Sequence, residues 1–329
     1  MTYYGTYDLL REIDPSKGSG LLEMENVPLA DNPTTMIVQP QADLLARLRT
    51  LEITARRDVE GLLTGSHPSR QFGFAVEFAQ HREYTPGDDI RHIDWKVYGR
   101  KERYYLKQYE LETDLALWLL VDASESMRYG SGPTCKYELA ARAAAALGYL
   151  VLRQTDALGF IRFDSQIRKT LRAVASPTQW KDVLSILSEG TTTEVSQVGA
   201  CLDEAARRIQ RRGIICIFSD LFDEPSAIAA ALKHLRYRRH EVVVFHTLDC
   251  AEIEFPFRQT TLFQGLEQWP ELLTDPVSVR EGYLAEFNAF REEVQNACRQ
   301  YEAEYVELRT DADLGRVLAE FLANRNGRG

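Results

Sequence analysis

The chain has 329 residues, 44% of them hydrophobic and 27% charged, with 39 basic and 49 acidic side chains for a net charge of −10. That length supports one large or two ordinary domains with a substantial core, and the acidic balance argues against general nucleic-acid binding. The cysteines are five, an odd number, and none is spaced as CxxC, which points away from a zinc ribbon or a disulfide framework and fits a reducing compartment.

The first 40 residues are weakly patterned and broken by Gly18, Gly20, Pro28, Pro33 and Pro40; they read as a loosely packed arm. They lack a basic start followed by an apolar core, so no leader peptide is expected. No apolar run nears the roughly 20 residues that span a bilayer, so the expectation is a cytoplasmic protein without membrane insertion. Residues 41–68 carry Leu44, Leu45, Leu48, Leu51 and Ile53 at near-helical spacing, which predicts an amphipathic helix and a linker near Gly65.

Residues 69–113 change character. Aromatic and β-branched residues flank the turn signal Pro86-Gly87-Asp88-Asp89, predicting a β-rich extension of short strands. Lys96, Arg100, Lys101, Arg103 and Lys107 are interleaved there with Tyr98, Tyr104 and Tyr105. Such a run suits single-stranded nucleic acid, but Glu102, Glu110 and Glu112 interrupt it, and a salt-bridged, solvated face is the better reading.

From residue 114 the pattern alternates. Strands are predicted at 115–122, 157–163, 168–172, 213–219, 241–248 and 304–309, the third at a sheet edge. Helices are predicted at 136–153, 177–188, 197–211, 225–236, 275–302 and 311–324. The α/β fold implied for 114–329 is a doubly wound, mostly parallel sheet with helices on both faces and right-handed crossovers. Sites in such sheets lie outside the carboxyl ends of the strands, where the strand order switches.

One segment carries chemistry. The apolar run Leu117 to Val121 ends in Asp122-Ala123-Ser124-Glu125-Ser126. Asp122, Ser124 and Ser126 offer a carboxylate and two hydroxyls to one point, hard oxygen donors suited to Mg²⁺, with Mn²⁺ or Ca²⁺ as alternatives. The same residue types also cap helices. A second carboxylate, Asp220, follows the strand 213–219; two carboxylates sharing a crevice repel unless a cation joins them. Among negative signals, no GxxxxGK[ST] phosphate loop occurs, so the chain is not expected to hydrolyse ATP.

These residues resemble the von Willebrand factor type A fold, whose metal-ion-dependent adhesion site uses Asp-x-Ser-x-Ser, a later Thr and a later Asp. The resemblance implies a metal set of Asp122, Ser124, Ser126, Thr193 and Asp220, with Ser196 as the alternative to Thr193. The upstream segment Arg82-Glu83-Tyr84-Thr85-Pro86-Gly87-Asp88-Asp89-Ile90-Arg91-His92-Ile93-Asp94-Trp95-Lys96 is similar to the signature of the bacterial domain-of-unknown-function family fifty-eight. Members are often paired with MoxR-type AAA+ ATPases as adaptors in maturing or assembling other proteins.

Two readings of that signature stay open. Arg82 and Arg91 either pair with acids across adjacent strands, docking the extension, or form a partner-binding surface. Glu125 is expected to face away from the ion and steer a partner. The function implied is a non-enzymatic, divalent-metal-dependent protein-binding module that takes an acidic residue from a client protein and works with a MoxR-type ATPase. The competing class is a metal-dependent phosphoryl-transfer hydrolase. It is disfavoured because Ser124 stands where a second Asp is usual and no lysine is evident in a matching loop. A metal-free scaffold is the third.

Overall fold

The structure is a computed structural model that describes residues 50–55, 58, 77–83, 105–110, 116–154, 156–263 and 272–326. The strands are β1 Glu77–Glu83, β2 Tyr105–Glu110, β3 Ala116–Asp122, β4 Ala157–Phe163, β5 Ile167–Val174, β6 Gly213–Ser219, β7 Glu241–Leu248, β8 Thr261–Phe263, β9 Leu272–Thr274 and β10 Glu304–Arg309. The helices are α1 Lys136–Arg153, α2 Pro177–Leu187, α3 Val198–Arg208, α4 Pro225–Tyr237, α5 Cys250–Glu254, α6 Pro276–Gln300 and α7 Leu314–Asn326.

The main sheet has six strands in the order β10-β7-β6-β3-β4-β5. All neighbours are parallel except β4 and β5. The chain starts at β3, runs outward through β4 and β5, then returns to the other side of β3 for β6, β7 and β10. The strand order therefore switches between β3 and β6, and sheets of this kind carry their sites outside the carboxyl ends of the strands at such a switch. β1 and β2 form a separate antiparallel ribbon.

Side-chain alternation divides the core into two layers. Leu117, Leu119 and Val121 of β3 pack with the alanine-rich α1 and with α2 and α7. Trp118 and Leu120 of the same strand face the layer built on α3, α4 and α6. A strand buried on both faces has no polar positions to spare, which is why β3 reads as an unbroken apolar run. Gly159 on β4 makes room for Trp118, whose ring stands 2.5 Å from where a Cβ would be.

β5 lies at the sheet edge, as expected, and its pairing with β4 is the one antiparallel pair of a mostly parallel sheet. Several expectations need correction. The third helix stops at Arg208, leaving Arg211 and Arg212 beyond it, while Arg207 and Arg208 pair with Asp203 and Glu204 one turn back. The last helix starts at Leu314, and the stretch after β7 holds α5 and the β8–β9 hairpin. Residues 50–55 are helical, but Ile53 is 65% exposed. The buried stripe is Leu51 and Ala55, continued by Asp58, which pairs with Arg142 of α1 at 3.0 Å. No helix among the described residues is long and apolar enough to cross a membrane.

Candidate metal centre

Four strands deliver an Asp to the carboxyl edge of the sheet. Asp122 ends β3, Asp164 follows β4, Asp220 follows β6 and Asp249 follows β7. Their surroundings separate them. Both Asp164 carboxylate oxygens lie 2.8 Å from Arg168 Nε and share its one N–H, and Oδ2 lies 2.9 Å from Thr192 Oγ1. Asp249 takes the Ser131 amide and hydroxyl, the Thr310 hydroxyl and the Ala251 amide. In both, burial favours the neutral acid, but these donors outweigh it and hold the carboxyl below its usual range.

Asp122 goes the other way. It is fully buried and has only neutral donors: the Ser124 amide on Oδ1 at 2.9 Å, and the Ser219 and Ser196 hydroxyls on Oδ2 at 2.6 and 3.3 Å. Among the described residues no Lys, Arg or His pairs with it. Burial and then the negative charge of Asp220 push its pKa from 3.8 up to about 7, against the hydrogen bonds from Ser219 and Ser124. This is a carboxylate that lacks a cation.

The donor set around it fits a hard ion. Ser124 Oγ and Ser126 Oγ stand 3.1 Å apart, close to the ~3.0 Å edge of an octahedron with oxygens about 2.1 Å from Mg²⁺. The centre is hydroxyl-rich; among the described residues no three His, Cys, Asp or Glu converge as ligands. Ser126 and Asp220 are each 6% exposed, against 0% for Asp122 and Ser124. Ser126 opens a single 3-10 turn, and Glu125 precedes it, half-buried, with its N–H bonded to Glu194 O at 3.0 Å.

The loop 190–197 is laced to this edge through Thr192, whose amide donates to Ala123 O at 2.7 Å and whose hydroxyl sits between that carbonyl and Asp164, 3.0 and 2.9 Å away. In that loop the structure brings Ser196 to Asp122, whereas Thr193 lies exposed. Beyond it, the first turn of α3 is tied to the β6 side by the Gly199 amide, which donates to Asp223 Oδ2 at 2.8 Å. Arg91 lies outside the described residues, and Arg82 sits on β1 opposite Leu106.

Asp220 is held on every side. Lys136 Nζ lies 2.7 Å from Asp220 Oδ2 and 2.7 Å from Glu252 Oε1. Asp220 Oδ1 accepts the Phe222 amide at 3.3 Å. Its carbonyl lies 3.0 Å from His246 Nε2, and His246 Nδ1 lies 2.8 Å from Tyr305 Oη. A carbonyl only accepts, so Nε2 carries the proton and Tyr305 donates to Nδ1. The next residue, Leu221, adopts φ 57°, a left-handed conformation uncommon for leucine; its side chain is buried in the second core layer.

The sequence showed no lysine in a matching loop; the structure brings one to the acids from the first position of α1, Lys136. Burial alone would lower its pKa, but Asp220 and then Glu252 reverse this and keep it charged. Sequence offered one clue: a lysine at the first position of a helix opposes the helix dipole and needs a reason. Ser219 stands out in sequence only as part of the family stretch Ser219-Asp220-Leu221-Phe222-Asp223, with no sign that its hydroxyl reaches Asp122.

The family model described as "Protein of unknown function DUF58" matches residues 80–293. An uncharacterized protein of Mycobacterium tuberculosis is 29% identical over 287 residues, 86% of this chain and 90% of that protein. An uncharacterized protein of Mycobacterium bovis matches with the same figures. Similar solved structures include an aerotolerance-related membrane protein from Bacteroides fragilis, 16% identical, covering 65% of this chain and 100% of that one at a TM-score of 0.44. BatB from Bacteroides thetaiotaomicron is 14% identical, covering 65% and 99% at 0.43.

Proposed function

The chain belongs to the family described as protein of unknown function DUF58, and on that premise we propose that it is a non-catalytic protein-interaction module that recognises an acidic residue through a divalent cation. The observation that carries this reading is Asp122, a buried carboxylate with neutral donors alone, set against two hydroxyls spaced as neighbouring ligands of Mg²⁺. Asp122, Ser124 and Ser126 would hold the ion, with Ser196 the nearest candidate for a further hydroxyl and Asp220 the second acid. Mg²⁺ is the proposed ion, and Mn²⁺ or Ca²⁺ would suit the same oxygens. When bound, the ion would supply a local positive charge in a chain of net charge −10, giving an incoming carboxylate a partner that the protein otherwise repels.

The proposed partner is a MoxR-type AAA+ ATPase, with acidic client proteins, in the cytoplasm; the support is the family signature in residues 82–96. Capture of such an ATPase from solution by the immobilised chain tests the whole scheme. Retention with Mg²⁺, lost with chelator and lost in Asp122→Ala, is expected; equal retention in all three removes the metal from the function.

Metal-dependent phosphoryl transfer is the second reading, because the structure does place a lysine beside the acids. It ranks second because Lys136 is committed to Asp220 and Glu252. Phosphate release from a general phosphatase substrate with Mg²⁺, abolished by Asp122→Asn, would move it to first.

A further inference from the structure

We infer that Lys136 is a built-in cation that withholds Asp220 from direct contact with the bound ion, so that Asp220 acts through water and one ligand position stays open for a foreign carboxylate. The inference rests on the metal reading above and assigns Lys136 a positioning role within it.

The geometry leaves Asp220 no idle atom: one carboxylate oxygen meets Lys136, the other meets the Phe222 amide, and the carbonyl meets His246. Lys136 is 3% exposed, and its ammonium lies 5.7 Å from the centre of the Tyr129 ring. If Asp220 turned to the ion, it would leave a buried ammonium with Glu252 as its single acid, and breaking a buried pair is costly. Charge supports the same view. Lys136 and Glu252 cancel, and Asp122 with Asp220 leaves two negative charges, matched by one divalent ion. Two carboxylates bound directly would spend the ion's attraction; one bound directly and one through water leaves charge for a partner. The start of α1 is weakened by a cation at its positive end, so helix formation does not explain the residue.

The test uses Mn²⁺ as the probe on the full chain, with affinity from EPR titration and the number of bound waters from water-proton relaxation. The proteins are wild type, Lys136→Met, and Lys136→Met with Glu252→Gln. The double variant removes both members of the buried pair, so it guards against misfolding, and it keeps the net charge of the cluster. Wild type is expected to bind Mn²⁺, and both variants to bind about tenfold tighter, about 1.4 kcal/mol, with one water fewer. Unchanged affinity and hydration in the folded double variant would overturn the inference and leave the metal reading standing. Binding by the variants but not by wild type would remove native metal dependence yet support Lys136 as the competing cation. No binding by any of the three would overturn both.

Discussion

The proposed function turns on Asp122. Its carboxyl titrates near 7 in the folded protein against 3.8 ordinarily, so the folded state holds the proton more tightly. Stability from this residue is therefore full below about pH 4 and is lost as pH rises toward 7. Asp122→Asn keeps the shape and removes the buried charge. In chelator at pH 8 it is expected to be more stable than wild type by on the order of 2 kcal/mol, while the rise in melting temperature on adding Mg²⁺ disappears. A destabilised variant would mean that the charge is already compensated. Hydroxyl choice is open to a paired comparison: Ser196→Ala is expected to weaken Mn²⁺ binding several-fold and Thr193→Ala to leave it unchanged, with the reverse result restoring Thr193. Asp122, Ser124 and Ser126 were legible because a short local motif holds all three. Ser196 entered only through the resemblance, as the alternative to Thr193, and Ser219 was not singled out as a donor, since they reach Asp122 across 74 and 97 positions of sequence.

Elements place these residues. Each central strand ends at the same edge because parallel strands share direction, and the switch between β3 and β6 brings Asp122 beside Asp220. The packing that fixes β3 against β4 is tight at Gly159, where an added Cβ would stand 2.5 Å from the Trp118 ring. Gly159→Ala is expected to cost about 1–3 kcal/mol by overpacking, read by urea denaturation. Combining it with Trp118→Leu should recover part of that loss, and no recovery would place the strain elsewhere. Most element positions were legible from periodicity. The antiparallel sense of β5 was not, since alternation along a strand is the same in either direction, nor was α5, whose five residues are too few for a helical period to show.

At the scale of the molecule, His246 joins the site to the edge of the sheet, from the Asp220 carbonyl on one side to Tyr305 of β10 on the other. Burial pushes its pKa from 6.5 down to about 4, so the folded state holds it neutral. Stability from His246 is present above about pH 6.5 and is lost as pH falls toward 4, by up to about 3 kcal/mol. Global unfolding by urea at pH 7.5, 6 and 4.5 should show that loss, and His246→Gln should flatten it from a lower starting stability. An unaltered slope in the variant would assign the acid sensitivity to other groups.

The sequence alone determined the layer plan, since unbroken apolar strands must be covered on both faces and helices supply the cover. It also determined the hard-oxygen character of Asp122, Ser124 and Ser126, because they follow a single strand within five residues. Only the tertiary structure decided which Asp lacks a cation, which hydroxyls from the 190–197 loop and β6 reach it, and that Lys136 holds Asp220. Those facts depend on through-space distance between segments far apart in the chain, and on burial, which converts a few ångströms of separation into charge states that local patterning does not encode.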